Sequence, residues 1–156
     1  MSAVTPVDRV VAALRDGGVE ADVRRFEDPV PTAAAAASAL GCEVGAIANS
    51  LVFDADGAPL LVLASGAHRV DTAKVAAGLG LAKLRQATPE FVREHTGQAI
   101  GGVAPLGHPK PVRTLVDVDL ARYEVIWAAG GVPRAVFPIS YDELVRVTAG
   151  TPTEVA

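Results

Sequence analysis

One cysteine, Cys42, stands among 156 residues. That excludes an intrachain disulfide and any zinc cage that needs two or more thiolates. No apolar run reaches the roughly 18 residues of a membrane-spanning helix. The opening Met1-Ser2-Ala3-Val4-Thr5-Pro6 lacks the basic start and apolar core of a signal peptide. Three catalytic signatures are also missing: the Gly-x-Ser-x-Gly elbow, the Gly-x-x-x-x-Gly-Lys-Ser/Thr phosphate loop and the His-Glu-x-x-His pair. His68, His95 and His108 stand far apart without metal-ligand spacing, and no pair of carboxylates is placed for acid–base work. No metal and no cofactor is expected. Half of the chain is hydrophobic and 21% is charged, the profile of one soluble, cytoplasmic globular domain large enough to fold without staples.

Strong charge of one sign is lacking as well. The formal net of -4 argues against gripping nucleic acid by bulk electrostatics, and no DNA partner is expected. The distribution is uneven, however. Residues 68–113 carry seven Lys/Arg against three Asp/Glu, while residues 1–67 carry four against nine and residues 114–156 three against six. Arg69, Lys74, Lys83, Arg85, Arg93, Lys110 and Arg113 thus form a basic middle in an acidic protein. It reads either as a solvated surface or as a local site for a phosphate-bearing ligand.

The punctuation along the chain is clear. Thr5 caps a helix with Pro6 at its first position, and Gly17-Gly18 stops it. A strand is expected around 19–26, ended by Pro29 and Pro31. Thr32 caps an alanine-rich helix, 33–40, closed by Gly41. The apolar runs 50–53 and 59–63 flank Asp54-Ala55-Asp56-Gly57-Ala58 as a hairpin. Asp71 and Thr88 open further helices, closed by Gly80 and Gly97. Strands are predicted at 112–116, 125–128 and 135–139, the last at a sheet edge because Pro138 cannot donate to a ladder. Ser140 and Glu143 form a capping-box pattern ahead of the final helix. Residues 151–156 read as a loose tail. With no repeat and no linker, residues 1–156 make one α/β (α+β) domain whose mixed sheet curls towards a barrel.

The unusual segment is Gly101-Gly102-Val103-Ala104-Pro105-Leu106-Gly107-His108-Pro109-Lys110-Pro111. Its glycines allow backbone amides to approach a ligand closely, and its prolines stiffen it. Two readings follow from the residues: a structural turn, or preorganised N–H groups that stabilise an oxyanion. Cys42, after a helix-ending glycine, reads as a small buried thiol.

This segment, from Thr96 to Gly107 with Thr114-Leu115-Val116-Asp117 after it, resembles the YbaK-type aminoacyl-tRNA deacylases, free-standing relatives of the editing domain of bacterial prolyl-tRNA synthetases. The family's Gly-x-x-x-Pro loop falls on Gly101 and Pro105. Further stretches agree in order: Thr32 to Gly41, Ile47 to Phe53, Arg69-Val70-Asp71 with Lys74-Val75-Ala76, Ala129-Gly130-Gly131, and Asp142-Glu143-Leu144. The resemblance implies a mixed, barrel-like sheet flanked by helices. It also implies hydrolysis of the ester joining a mischarged small amino acid to the 3′-terminal adenosine of tRNA. Gly101, Gly102, Val103, Ala104 and Pro105 would hold the ester carbonyl and carry catalysis. Asn49, Ser50, Arg69, Gly107, His108 and Gly130 would bind substrate. Expected partners are aminoacyl-tRNA and, with it, an aminoacyl-tRNA synthetase or elongation factor. Two positions depart from the family: Asn49 stands where a lysine is common, and Val136 where an acidic residue can occur. They define an alternative, a catalytically silent module of the same fold that binds a tRNA end, a nucleotide or a synthetase.

Overall fold

A computed structural model describes residues 4–28, 30 and 32–156. Five helices start at side chains able to accept a hydrogen bond from their first turn. In α1 (Pro6–Asp16), Thr5 Oγ1 accepts from the Asp8 amide while Asp8 accepts from the Thr5 amide, a reciprocal capping box. Thr32, Asp71 and Thr88 cap α2 (Ala33–Leu40), α3 (Thr72–Leu79) and α4 (Pro89–Thr96). Ser140 and Glu143 form the second capping box, at α5 (Tyr141–Thr148). Gly41, Gly80 and Gly97 close α2, α3 and α4 with φ near +70°, a conformation that favours a residue without Cβ.

The described strands form one mixed sheet. They are β1 (Arg24–Arg25), β2 (Ile47–Ala55), β3 (Ala58–Ser65), β4 (Leu84–Gln86), β5 (Arg113–Asp117), β6 (Ile126–Ala129), β7 (Ala135–Ile139) and β8 (Thr151–Thr153). Their order is β1-β7-β6-β2-β3-β5-β8, with β4 also paired to β2. The β2–β3 hairpin is its centre, antiparallel from Ala48 opposite Ser65 to Ala55 opposite Ala58. On its other side β2 meets two different strands. Ile47 and Ala48 pair with β6 in parallel, and Phe53, Asp54 and Ala55 pair with β4 antiparallel. Residues 49–52 therefore have a ladder partner on one side only, and the sheet opens there.

The sheet curves around the largest apolar cluster, which joins Val10 and Leu14 of α1, Leu61 and Leu63 of β3, Phe137 of β7 and Leu144 of α5. A second cluster lies on the other face of β3, around Leu60, Val62, Val75 and Leu115. A smaller one holds α2 to Ile47 through Ala36 and Ala37. Their small side chains let the helix lie close to the strand.

The sequence expectations need four amendments. The strand expected over 19–26 shortens to Arg24–Arg25, two exposed arginines that reach only Val136 and Ala135 of β7. Pro29 and Pro31, expected to end it, lie outside the described residues. β7 is not an edge strand: β1 and β6 flank it, and Pro138 lies beyond the short β1, opposite Trp127. β4 carries only three residues and no turn signal of its own. Residues 151–156 are no loose tail. β8 pairs in parallel with β5, Val155 is fully buried in the second cluster, and its carbonyl accepts from the Asp71 amide at 2.7 Å. Pro152 suits β8 because that strand is an edge.

Candidate functional site

A cavity of about 460 Å³ opens where the sheet parts between β6 and β4. One wall continues the interior: Ala48, Ser50 and Val52 alternate along β2 and face Val92, Val103 and Ala128. The other wall is built by α2 and the outward residues of β2 and β6, among them Thr32, Ala36, Asn49, Leu51 and Trp127. Ile100 and Leu51 are exposed apolar residues at this site, 56% and 37% accessible.

The loop after α4 reaches this cavity through Ile100, Gly101 and Val103. Its amides are not equivalent. The Gly102 N–H donates to the Ala99 carbonyl at 3.1 Å, and the Ala104 N–H donates to Gln98 Oε1 at 2.7 Å. The amides of Gly101 and Val103 have no hydrogen-bond partner among the described residues, and both residues line the cavity. Gly101 has φ +93° and open space where a Cβ would stand. Gly102 is closely packed instead: a Cβ there would come within 2.5–2.7 Å of the Val132–Pro133 backbone. The alternating use of amides thus leaves two donors at the cavity and uses two to hold the loop's shape.

Of the residues expected to carry or bind substrate, the structure brings together Asn49, Ser50, Gly101 and Val103. Gly102, Ala104 and Pro105 are buried behind the loop and do not line the cavity. Gly107 packs on the backbone of Arg9 and Val10 in α1. The half-buried His108 ring makes a 2.8 Å hydrogen bond through Nε2 with the Ala104 carbonyl, and burial holds its pKa below the ordinary 6.5. The Gly130 amide donates to the Ala135 carbonyl, closing the turn between β6 and β7. Arg69 is exposed and does not line the cavity. Cys42 is half-buried beside α2, and burial pushes its thiol pKa up.

The cavity's polarity is low. No Asp, Glu, Lys or Arg lines it, and the seven cations of the basic middle are all exposed. Arg24 stacks on one wall residue, its guanidinium 4.8 Å from the Trp127 ring centre. Among the described residues, no group of three or more His, Cys, Asp or Glu side chains is placed to hold a metal. Asp117, which follows the glycine loop in sequence, serves another region. It is buried, accepts from the Ser65 amide at 3.0 Å, and meets His68 Nδ1 at 2.7 Å. His68 Nε2 lies 3.0 Å from Asp119, so that imidazole bridges two carboxylates.

Trp127, Ala128, Leu51 and Ile100 were not among the expected site residues. Their sequence signal is only that of small or apolar residues on strands and a loop. Pairing across the sheet makes them into a wall.

A family model described as an aminoacyl-tRNA editing domain matches residues 27–147, and the chain belongs to that family. YwhH of Bacillus subtilis, an uncharacterised protein, is 33% identical over 126 residues, 80% of each chain. A proline–tRNA ligase of Levilactobacillus brevis is 32% identical over 98 residues, spanning 62% of this chain and 17% of the ligase. The crystal structure of a candidate trans-editing enzyme for prolyl-tRNA synthetase matches with a TM-score of 0.91 at 42% identity. That match covers 99% of this chain and 98% of the other. None of the described helices is long and apolar enough to cross a membrane.

Proposed function

We propose that the protein is a trans-editing deacylase that frees a small amino acid from the 3′-terminal ribose of a mischarged tRNA in the cytoplasm. The observation that carries this reading is the pair of unpartnered amides, Gly101 and Val103, at the wall of a small apolar cavity. A water oxygen attacks the ester carbonyl carbon, and the negative charge that develops on the carbonyl oxygen accepts hydrogen bonds from both amides. The carbon–oxygen bond to the ribose then breaks, and a proton from the water ends on the 3′-oxygen. Donors fixed before reaction stabilise such an oxyanion without reorganisation, an effect of about 3–4 kcal/mol per donor in known cases. Ala48, Val52 and Ala128 leave room for a small side chain, and the indole of Trp127 offers a flat face on which the terminal adenine can stack.

Asn49, half-buried at the cavity, brings an amide where a cation would attract phosphate. A silent binding module is the second reading, and that uncharged lining favours it. A synthetase or elongation factor is the partner expected to deliver the charged tRNA, because the chain carries a net charge of -4 and no cation lines the cavity.

Filling the cavity tests where the chemistry lies. Ala129 is half-buried on β6 and lines the wall, so Ala129→Leu should leave the unfolding midpoint in place. Its kcat/KM for aminoacyl-tRNA should fall about tenfold or more, the effect of blocking a close-fitting site. Unchanged turnover in a folded variant would put the reaction elsewhere.

A further inference from the structure

Ser50 is the polar side chain in the inner wall of the cavity, between Ala48 and Val52 on β2. Its Oγ is buried and makes no hydrogen bond. A buried hydroxyl without a partner is costly, so a ligand that supplies one gains from the pairing. The hydroxyl of Thr32, also at the cavity, is already committed to the Ala35 amide.

The backbone of Ser50 points the same way. The Gly66 N–H donates to the Ile47 carbonyl at 2.8 Å in line with the β2–β3 register. That parity makes the odd-numbered residues of β2 the ones bonded to β3 and turns the even-numbered ones outward. Outward, Ala48 meets β6 and Asp54 meets β4. Ser50 lies between them, where no strand pairs, so its N–H, its carbonyl and its hydroxyl face one opening, and the last two can both accept.

We propose that Ser50 is the specificity-determining residue for the α-amino group of the esterified amino acid, through its Oγ and its main-chain carbonyl. This rests on the deacylase reading. The Gly101 and Val103 amides are donors and suit the ester carbonyl oxygen. The other polar group carried by every α-aminoacyl ester is the amine on the adjacent carbon, a donor that matches the two acceptors. No lining carboxylate competes for it. An α-hydroxyl or an acylated amine has only one proton to donate and leaves one of the two acceptors unmet, so the site favours an unmodified amino acid over a hydroxy acid of the same shape.

The test uses non-cleavable mimics of the tRNA end, adenosines that carry an amide in place of the 3′-ester. Alanine forms one mimic and lactate its hydroxyl counterpart. Trp127, the sole tryptophan, lines the cavity and reports binding by its fluorescence. The wild-type protein should bind the alanine mimic about tenfold tighter than the lactate mimic, the ratio one buried hydrogen bond supplies. Ser50→Ala, with an unchanged unfolding midpoint, should lose most of that ratio by weakening the alanine mimic alone. Equal binding of the two mimics by wild type, equal weakening of both by Ser50→Ala, or binding of neither overturns the proposal. Cleavage of alanyl-tRNA alongside equal binding would leave the deacylase reading standing and remove only the role of Ser50. Amine-selective binding without cleavage of any ester would do the reverse.

Discussion

At the scale of single residues, burial decides what each expected site residue does. His108 follows the glycine loop directly, yet its ring is turned back onto the Ala104 carbonyl and held below its ordinary pKa by burial. It therefore acts on stability. Below about pH 6.5 the unfolded chain takes up a proton that the folded chain refuses until its own lower pKa is reached. Stability should fall as the pH drops through that window, and His108→Gln should remove this component of the slope. Urea unfolding from pH 7.5 to 5 reads it; an identical slope in the variant would contradict the account. That the glycine loop is the unusual segment of the chain was legible from Gly101, Gly102 and Pro105. Which of its amides are free was not, because Gln98 and Ala99 claim the others only once the chain has folded. Gly102 illustrates the difference: its missing Cβ permits close approach to the Val132–Pro133 backbone, a contact that only the fold creates.

Elements announced by caps were legible, and those created by pairing were not. Thr5, Thr32, Asp71, Thr88 and Ser140 mark the helix starts locally, since each side chain accepts from its own first turn. β4 and β8, three residues apiece, owe their form to neighbours distant in sequence. β8 is held by β5 and by Val155, which lies fully buried among Leu60, Val62 and Leu115. Val155→Ala should therefore cost about 1.5–3 kcal/mol, the value of an aliphatic side chain leaving a packed core. Denaturant melts measure this directly. A loss below about 0.5 kcal/mol, the range of ordinary surface substitutions, would return residues 151–156 to the status of a loose end.

Across the whole molecule, the candidate site lies at a break in the fold's own sheet. β2 changes partner from β6 to β4 along its length, and the four residues between expose a strand edge inside a cavity. The glycine loop after α4 brings two unpartnered amides there, and β2 brings the unpartnered Ser50 hydroxyl. The mixed sheet and flanking helices could be read from alternating patterns and the family resemblance, but this break could not, because it arises from register between strands tens of residues apart. Charge shows the same division. The basic middle was visible in composition, whereas the fact that all seven of its cations are exposed and none lines the cavity depends on the fold. The central claim is turnover at this cavity. Its most direct measurement offers tRNAs charged with alanine, cysteine, serine, proline and threonine at low salt, with protein at about one-hundredth of the substrate, a ratio that only catalysis can clear. At least one ester should be lost well above the buffer rate through many turnovers. Intact esters across the panel, from protein shown to be folded, would contradict it and leave a binding module in its place.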